Sequence, residues 1–163
     1  MTTRTPDEVW KTMQAHLGLS DEEADLFKRD PRNARVMATA PAMRRRTIVF
    51  EVVESAACNS GHVVGTRFYF TGDGNLVTKM APSRICAYAL PIMTQAIFGI
   101  QELWYADVDP NALCFKRAGC FDVGVRCGGW GRIVVEAKVM DRDEAVALWQ
   151  ADQKVSAGTT SGG

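Results

Sequence analysis

Histidine is scarce in this chain, and surplus charge of either sign is absent. There are two histidines, and 19 lysines and arginines face 19 aspartates and glutamates. A zero balance removes the electrostatic term on which general nucleic-acid binding rests, so no nucleic-acid partner is expected. Long apolar runs are missing as well. The most apolar stretch, residues 85–105, is broken by Pro91, Thr94, Gln95, Gly99, Gln101 and Glu102. It is too polar to span a bilayer, so no membrane partner is expected. Residues 2–8 are polar and lack the apolar run of an export signal. The expected compartment is the cytoplasm, where thiols stay reduced. No internal repeat, heptad seam or long linker is present.

Cysteine is plentiful by comparison. The chain has five, Cys58, Cys86, Cys114, Cys120 and Cys127, an odd number that excludes complete pairing within one chain. With 163 residues, 47% of them apolar, the chain is long enough to bury one proper core.

The N-terminal part reads as helical. Thr5 is placed to cap a first helix, with Pro6 at its first position, Asp7 and Glu8 in its first turn and Gly18 at its end. Ser20 and Glu23 form a capping box for a second, with Leu26 and Phe27 facing inward and Pro31 as the stop. Residues 33–43 are ambiguous. The period then becomes alternating. Strands are expected at 47–54, 63–70 and 132–140, with weaker ones at 76–79, 112–117 and 121–126. Residues 82–105 read as the long helix, kinked or split by Pro91. Asp141 is placed to cap a short last helix.

This order implies an α+β fold: a mostly antiparallel sheet with one long, Pro-interrupted helix packed on it, preceded by an N-terminal helical hairpin. The expected division is a helical extension at 1–43, an α+β domain at 44–150 and a flexible tail at 151–163. The expected core holds Ile48, Phe50, Val52, Phe68, Phe70, Ile85, Ile92, Ile97, Val134 and Val135.

Three constellations carry chemistry. Cys58 and His62 share one turn, Cys58-Asn59-Ser60-Gly61-His62. With Cys120 and Cys127 they make a candidate zinc set if the two loops meet. The same pair is a candidate nucleophile and base, needing Asp73, Asp122 or Glu54 to orient the imidazole. The competing expectation is a structural turn and cysteines acting as small buried hydrophobes. Cys86, at a helix start, is expected to be buried. Last, Tyr88, Met93, Phe98 and Trp104 on the long helix, with Trp130, are candidates to line a ligand cavity against the sheet. Arg44, Arg45 and Arg46 read as a solvated edge.

The segment Cys58-Asn59-Ser60-Gly61-His62-Val63-Val64-Gly65-Thr66-Arg67-Phe68 resembles an uncharacterised family of small prokaryotic proteins. These carry a Cys-x-x-Gly-His-x-x-Gly-Asp-x-Phe-like motif and then Leu-Cys-Pro before a long helix. Here Thr66 stands at the aspartate and Ala81 at the second cysteine. The resemblance spans about residues 47–139 and implies a fold, with no activity to carry over. Cys86 and the Cys120 to Cys127 segment are similar to 4-vinyl reductase-like ligand-binding domains, which look like sensors of hydrophobic or aromatic small molecules. The expected function is a non-catalytic domain binding a small apolar or aromatic ligand, or an accessory subunit of a larger enzyme complex. The alternative is a cysteine/histidine-dependent or metal-dependent enzyme using Cys58 and His62. The apolar residues of the helical hairpin must pack on the chain's own sheet or on a neighbouring chain; beside zero net charge the expectation is a homodimer or a place in a larger complex, with packing on its own sheet as the competing one.

Overall fold

The computed structural model describes residues 5–159, with side chains described at residue 5 and over 7–154. The chain divides into two compact units, Met1–Met43 and Arg44–Gly163.

The first unit consists of three helices among the described residues: α1 (Pro6–Leu17), α2 (Asp21–Arg29) and α3 (Pro31–Met43). Two capping boxes open the first two. The Thr5 hydroxyl accepts from the Glu8 amide while the Glu8 carboxylate accepts from the Thr5 amide, and Ser20 and Glu23 repeat the exchange. Each box satisfies amides that a helix start leaves without partners. Gly18 ends α1 at φ 68°, a left-handed conformation that costs glycine little. The ambiguous stretch is helical: Pro31 opens α3, and the Asp30 carboxylate accepts from the Arg32 amide at 2.9 Å. Trp10 and Phe27 pack edge to face, 5.7 Å between ring centres. Leu26, expected inward, is 66% exposed; Ala24 is the buried residue of α2.

The second unit is α+β. Strands β1 (Arg46–Ala56), β2 (Arg67–Thr71), β3 (Arg117–Gly119) and β4 (Arg132–Asp141) form one antiparallel sheet in the order β2-β1-β4-β3. β1 and β4 are the long central pair, with a bulge between Val52 and Glu54. Alternation along β1 gives each face its own residues. Ile48, Phe50 and Val52, with Phe68 and Phe70 across the ladder, are buried on one face. Val49, Tyr69 and Met140 lie on the other, covered by Ala145, Leu148 and Trp149 of α5 (Arg142–Thr159). α4 (Leu90–Tyr105) packs on the sheet through Ile92, Met93, Ile97 and Ile100. No described helix is long and apolar enough to cross a membrane.

Several boundaries differ from the sequence reading. α4 begins at Leu90, so Pro91 sits in its first turn, where a missing amide hydrogen costs nothing, and it kinks nothing. Residues 82–89 are irregular and Ile85 is 38% exposed, not core. Val134 is half-buried, and its neighbours Ile133 and Val135 are buried in its place. The 63–70 strand shortens to β2. The 76–79 strand reduces to one bridge, Phe70 to Leu76, and the two weak strands near 112–126 reduce to β3. The last helix runs to Thr159, so the expected tail is helical over 151–159, and residues 160–163 lie outside the described ones.

Candidate functional site

A cleft of about 690 Å³ opens in the second unit, lined by residues 58–60, 85–88, 120–123 and 129–133. Its walls come from four separated segments: the turn after β1, the approach to α4, the turn after β3, and the loop that enters β4. Each wall has an identifiable support.

The turn after β1 is closed by the Gly61 amide donating to the Cys58 carbonyl at 3.0 Å. The Ser55 hydroxyl donates to the His62 carbonyl at 2.6 Å and ties this turn back to the strand. The approach to α4 is a turn in which the Ala89 and Leu90 amides share the Cys86 carbonyl. It is stitched to the next wall by the Phe121 amide, which donates to the Tyr88 carbonyl at 3.2 Å.

Asp122 organises the other two walls. Its carboxylate accepts from the amides of Gly124 and Trp130 at 2.9 Å each and of Gly131 at 3.1 Å. Those three hydrogen bonds, that to Gly124 foremost, hold its pKa below the usual carboxylate range. Glycines make this closure possible. A Cβ at Gly129 would overlap the Asp122 carboxylate, and one at Gly131 would overlap the carbonyl of Ala57. Cys120 adds a sulfur clamp: its Sγ accepts from the Ile133 amide at 3.3 Å and its thiol donates to the Asp122 carbonyl at 3.7 Å.

The surface so built is apolar and aromatic. Trp130 is 80% exposed, Phe121 64% and Tyr88 62%, and Val123 and Ile85 complete it. Large aromatic side chains are normally covered, so three of them turned outward around one concavity mark a binding surface. Asn59, Ser60, Asp122 and Arg132 are the polar residues of the lining.

The cleft gathers some of the expected residues and leaves others out. Cys58, Cys120, Tyr88 and Trp130 line it, and so does Cys86, which is half-buried where full burial was expected. Cys114 and Cys127 are exposed and off it. His62 is also off it. Its ring is buried edge-on against Phe68 at 5.0 Å, and its Nε2 has no hydrogen-bond partner among the described residues. Burial pushes its pKa down. Met93 is fully buried, and Phe98 is 66% exposed on α4 away from the cleft. Trp104 lies under the Arg46 guanidinium, 5.7 Å from ring centre to Cζ. Phe121 and Val123 are lining residues that sequence reading missed; both fell in an expected strand.

All five cysteines are free. Among the described residues, no three His, Cys, Asp or Glu side chains come together in a set that holds a metal ion. Cys58, His62, Cys120 and Cys127 are therefore not assembled as a zinc site. The acids named as partners for His62 are engaged elsewhere: Asp122 with three amides, Glu54 with Arg132 at 3.3 Å, and Asp73 with the Thr71 hydroxyl. No protein-family model, curated protein or solved structure matches the chain.

Proposed function

We propose that the second unit is a non-catalytic binding domain whose cleft takes a small aromatic or apolar molecule. One observation carries this reading: Tyr88, Phe121 and Trp130 stand exposed around a concavity of about 690 Å³, within the size range of small-molecule sites. Polar lining residues are few, as such sites require, and serve for orientation. The thiols are reduced in this reading, as in a cytoplasmic protein, and His62 has a structural role under the turn. The reading has the same sense as the likeness to sensor domains of aromatic molecules.

The test is thermal unfolding with simple aryl ketones such as 4-phenylbutan-2-one. A ligand that binds only the folded state raises the melting temperature by mass action, by about 2.7 kcal/mol of stability at a hundredfold excess over its Kd. Trp130→Ala removes most of that rise while its own melting temperature stays near wild type, since the side chain is mostly exposed. No rise with any such compound at millimolar concentration rejects the reading.

Self-association through the helical unit belongs to the same proposal. Leu17 and Leu26 are exposed, at 52% and 66%, and the chain has no net charge to oppose contact. Light scattering gives twice 17.9 kDa, and Leu26→Asp halves the mass. A wild-type monomer at high micromolar concentration ends this part of the proposal.

A further inference from the structure

We infer that the molecule held in the cleft is electrophilic, a conjugated aryl enone or enal, and that Cys58 captures it as a reversible thioether. The inference rests on the ligand-binding reading and specifies the ligand's chemistry.

Three of the five thiols, from segments far apart in sequence, line one aromatic cleft, while Cys114 and Cys127 lie off it. None of the three is buried, so they are not there as core hydrophobes. They are not equivalent. The Cys120 sulfur is engaged on both sides by Ile133 and Asp122. Cys86 has the apolar Ile85 and Ala87 as its immediate neighbours in the lining. No hydrogen bond occupies the Cys58 sulfur among the described residues, and its neighbours Asn59 and Ser60 line the same wall. An amide and a hydroxyl there supply donors for a carbonyl oxygen. Aromatic walls for a ring, donors for a carbonyl and a free thiol in one cleft describe a ligand in which ring, double bond and carbonyl are conjugated.

The step balances without an oxidant. The Cys58 thiolate forms a bond to the β-carbon of the double bond. The π pair moves to the α-carbon through the enolate, whose oxygen is held by the donors. The α-carbon then takes the proton that the thiol released to solvent. Reversal restores both partners.

The test uses 4-phenylbut-3-en-2-one on the full chain, with intact mass and peptide mapping, and its saturated analogue 4-phenylbutan-2-one as a non-covalent control. We expect one adduct per chain, on Cys58, formed about tenfold or more faster than on the more exposed Cys114 and Cys127, because binding raises the local concentration of the enone. The saturated ketone slows it. Cys58→Ser abolishes the adduct, with a cooperative unfolding transition showing that the variant is folded, and Cys114→Ser leaves the adduct in place. Equal or faster labelling of Cys114 or Cys127, or first labelling of Cys86 or Cys120, overturns the inference. A melting-temperature rise with the saturated ketone but no Cys58 adduct with the enone overturns this inference and leaves the binding reading standing. No rise and no adduct overturn both.

Discussion

Single residues decide whether the cleft exists. Gly131 is the tightest case, because its α-carbon lies against the Ala57 carbonyl, and a methyl there has backbone on its far side with nowhere to move. Gly131→Ala is expected to cost about 1–3 kcal/mol, the range for overpacking, measured as a fall in the urea midpoint with an unchanged slope. A midpoint within error of wild type would mean that the two loops do not meet as described. Glycine in a loop sequence announces permissiveness, and the run Gly128-Gly129-Trp130-Gly131 was legible as a tight connection on that ground. The Ala57 carbonyl and the Asp122 carboxylate that demand it were not, because neither forms a local pattern with the glycines. His62 misled in the opposite direction. Four residues from Cys58, it reads as a ligand or a base, yet its ring packs into the core beside Phe68. Spacing along a turn does not say which way a ring faces.

Elements were legible in proportion to how local their signals are. The Thr5 cap of α1 and the Ser20–Glu23 capping box of α2 are local patterns and stand where sequence placed them, and the structure adds the reciprocal Glu8 bond of the first. β1 and β4 show their alternation over ten or more residues and were found nearly whole. β3 has three residues, held by pairing with β4, and nothing local distinguishes it from the turns around it. Pro91 fits two helices, one that it breaks and one that it starts, and only the buried Ala89 and the turn at Cys86 settle the second. The docking of α5 was also hidden. Arg67 on β2 reaches Asp152 on α5 with Nη1 at 2.6 Å and Glu51 on β1 with Nε at 2.8 Å, joining residues 85 positions apart. Tyr69 adds a long contact to Asp152, and burial pushes its hydroxyl pKa up to about 12. Arg67→Ala is expected to lose about 1.5–3 kcal/mol, the value of charge-assisted hydrogen bonds. Arg67→Lys recovers only part, since one ammonium lacks the guanidinium's forked donors. Loss of hydrogen-exchange protection concentrated in α5 checks the mechanism; uniform loss, or none, speaks against it.

At the scale of the molecule, the acid side of the stability curve should carry two separable steps. His62 has its pKa pushed down from 6.5 by burial, so the unfolded chain binds its proton more readily than the folded one. Stability then rises with pH across the interval between the two pKa values, because the unfolded state holds more protons there. Its contribution is complete above about pH 6.5, declines as pH falls below that value, and is exhausted below the folded-state pKa. Asp122 and Asp73 are lowered as well, the first by amide donors led by Gly124 and the second by the Thr71 hydroxyl. Their stabilisation is intact above the ordinary aspartate value of 3.8 and is lost as pH falls through their lower folded-state values. Urea midpoints followed down from about pH 8 should therefore hold level, fall from about pH 6.5 through the histidine interval, and fall again in the carboxylate range. His62→Phe keeps an aromatic ring against Phe68 and removes the titration, so it should abolish the first fall and keep the second. Should the variant reproduce the wild-type curve throughout, the buried imidazole is not the group that titrates. Because the His62 turn carries Cys58, Asn59 and Ser60 into the cleft, protonating the imidazole of the folded chain should weaken aryl-ketone binding, and it does so at the folded-state pKa, the acid end of that interval. The binding midpoint then marks the pH at which the first fall in stability ends, and the two measurements check each other.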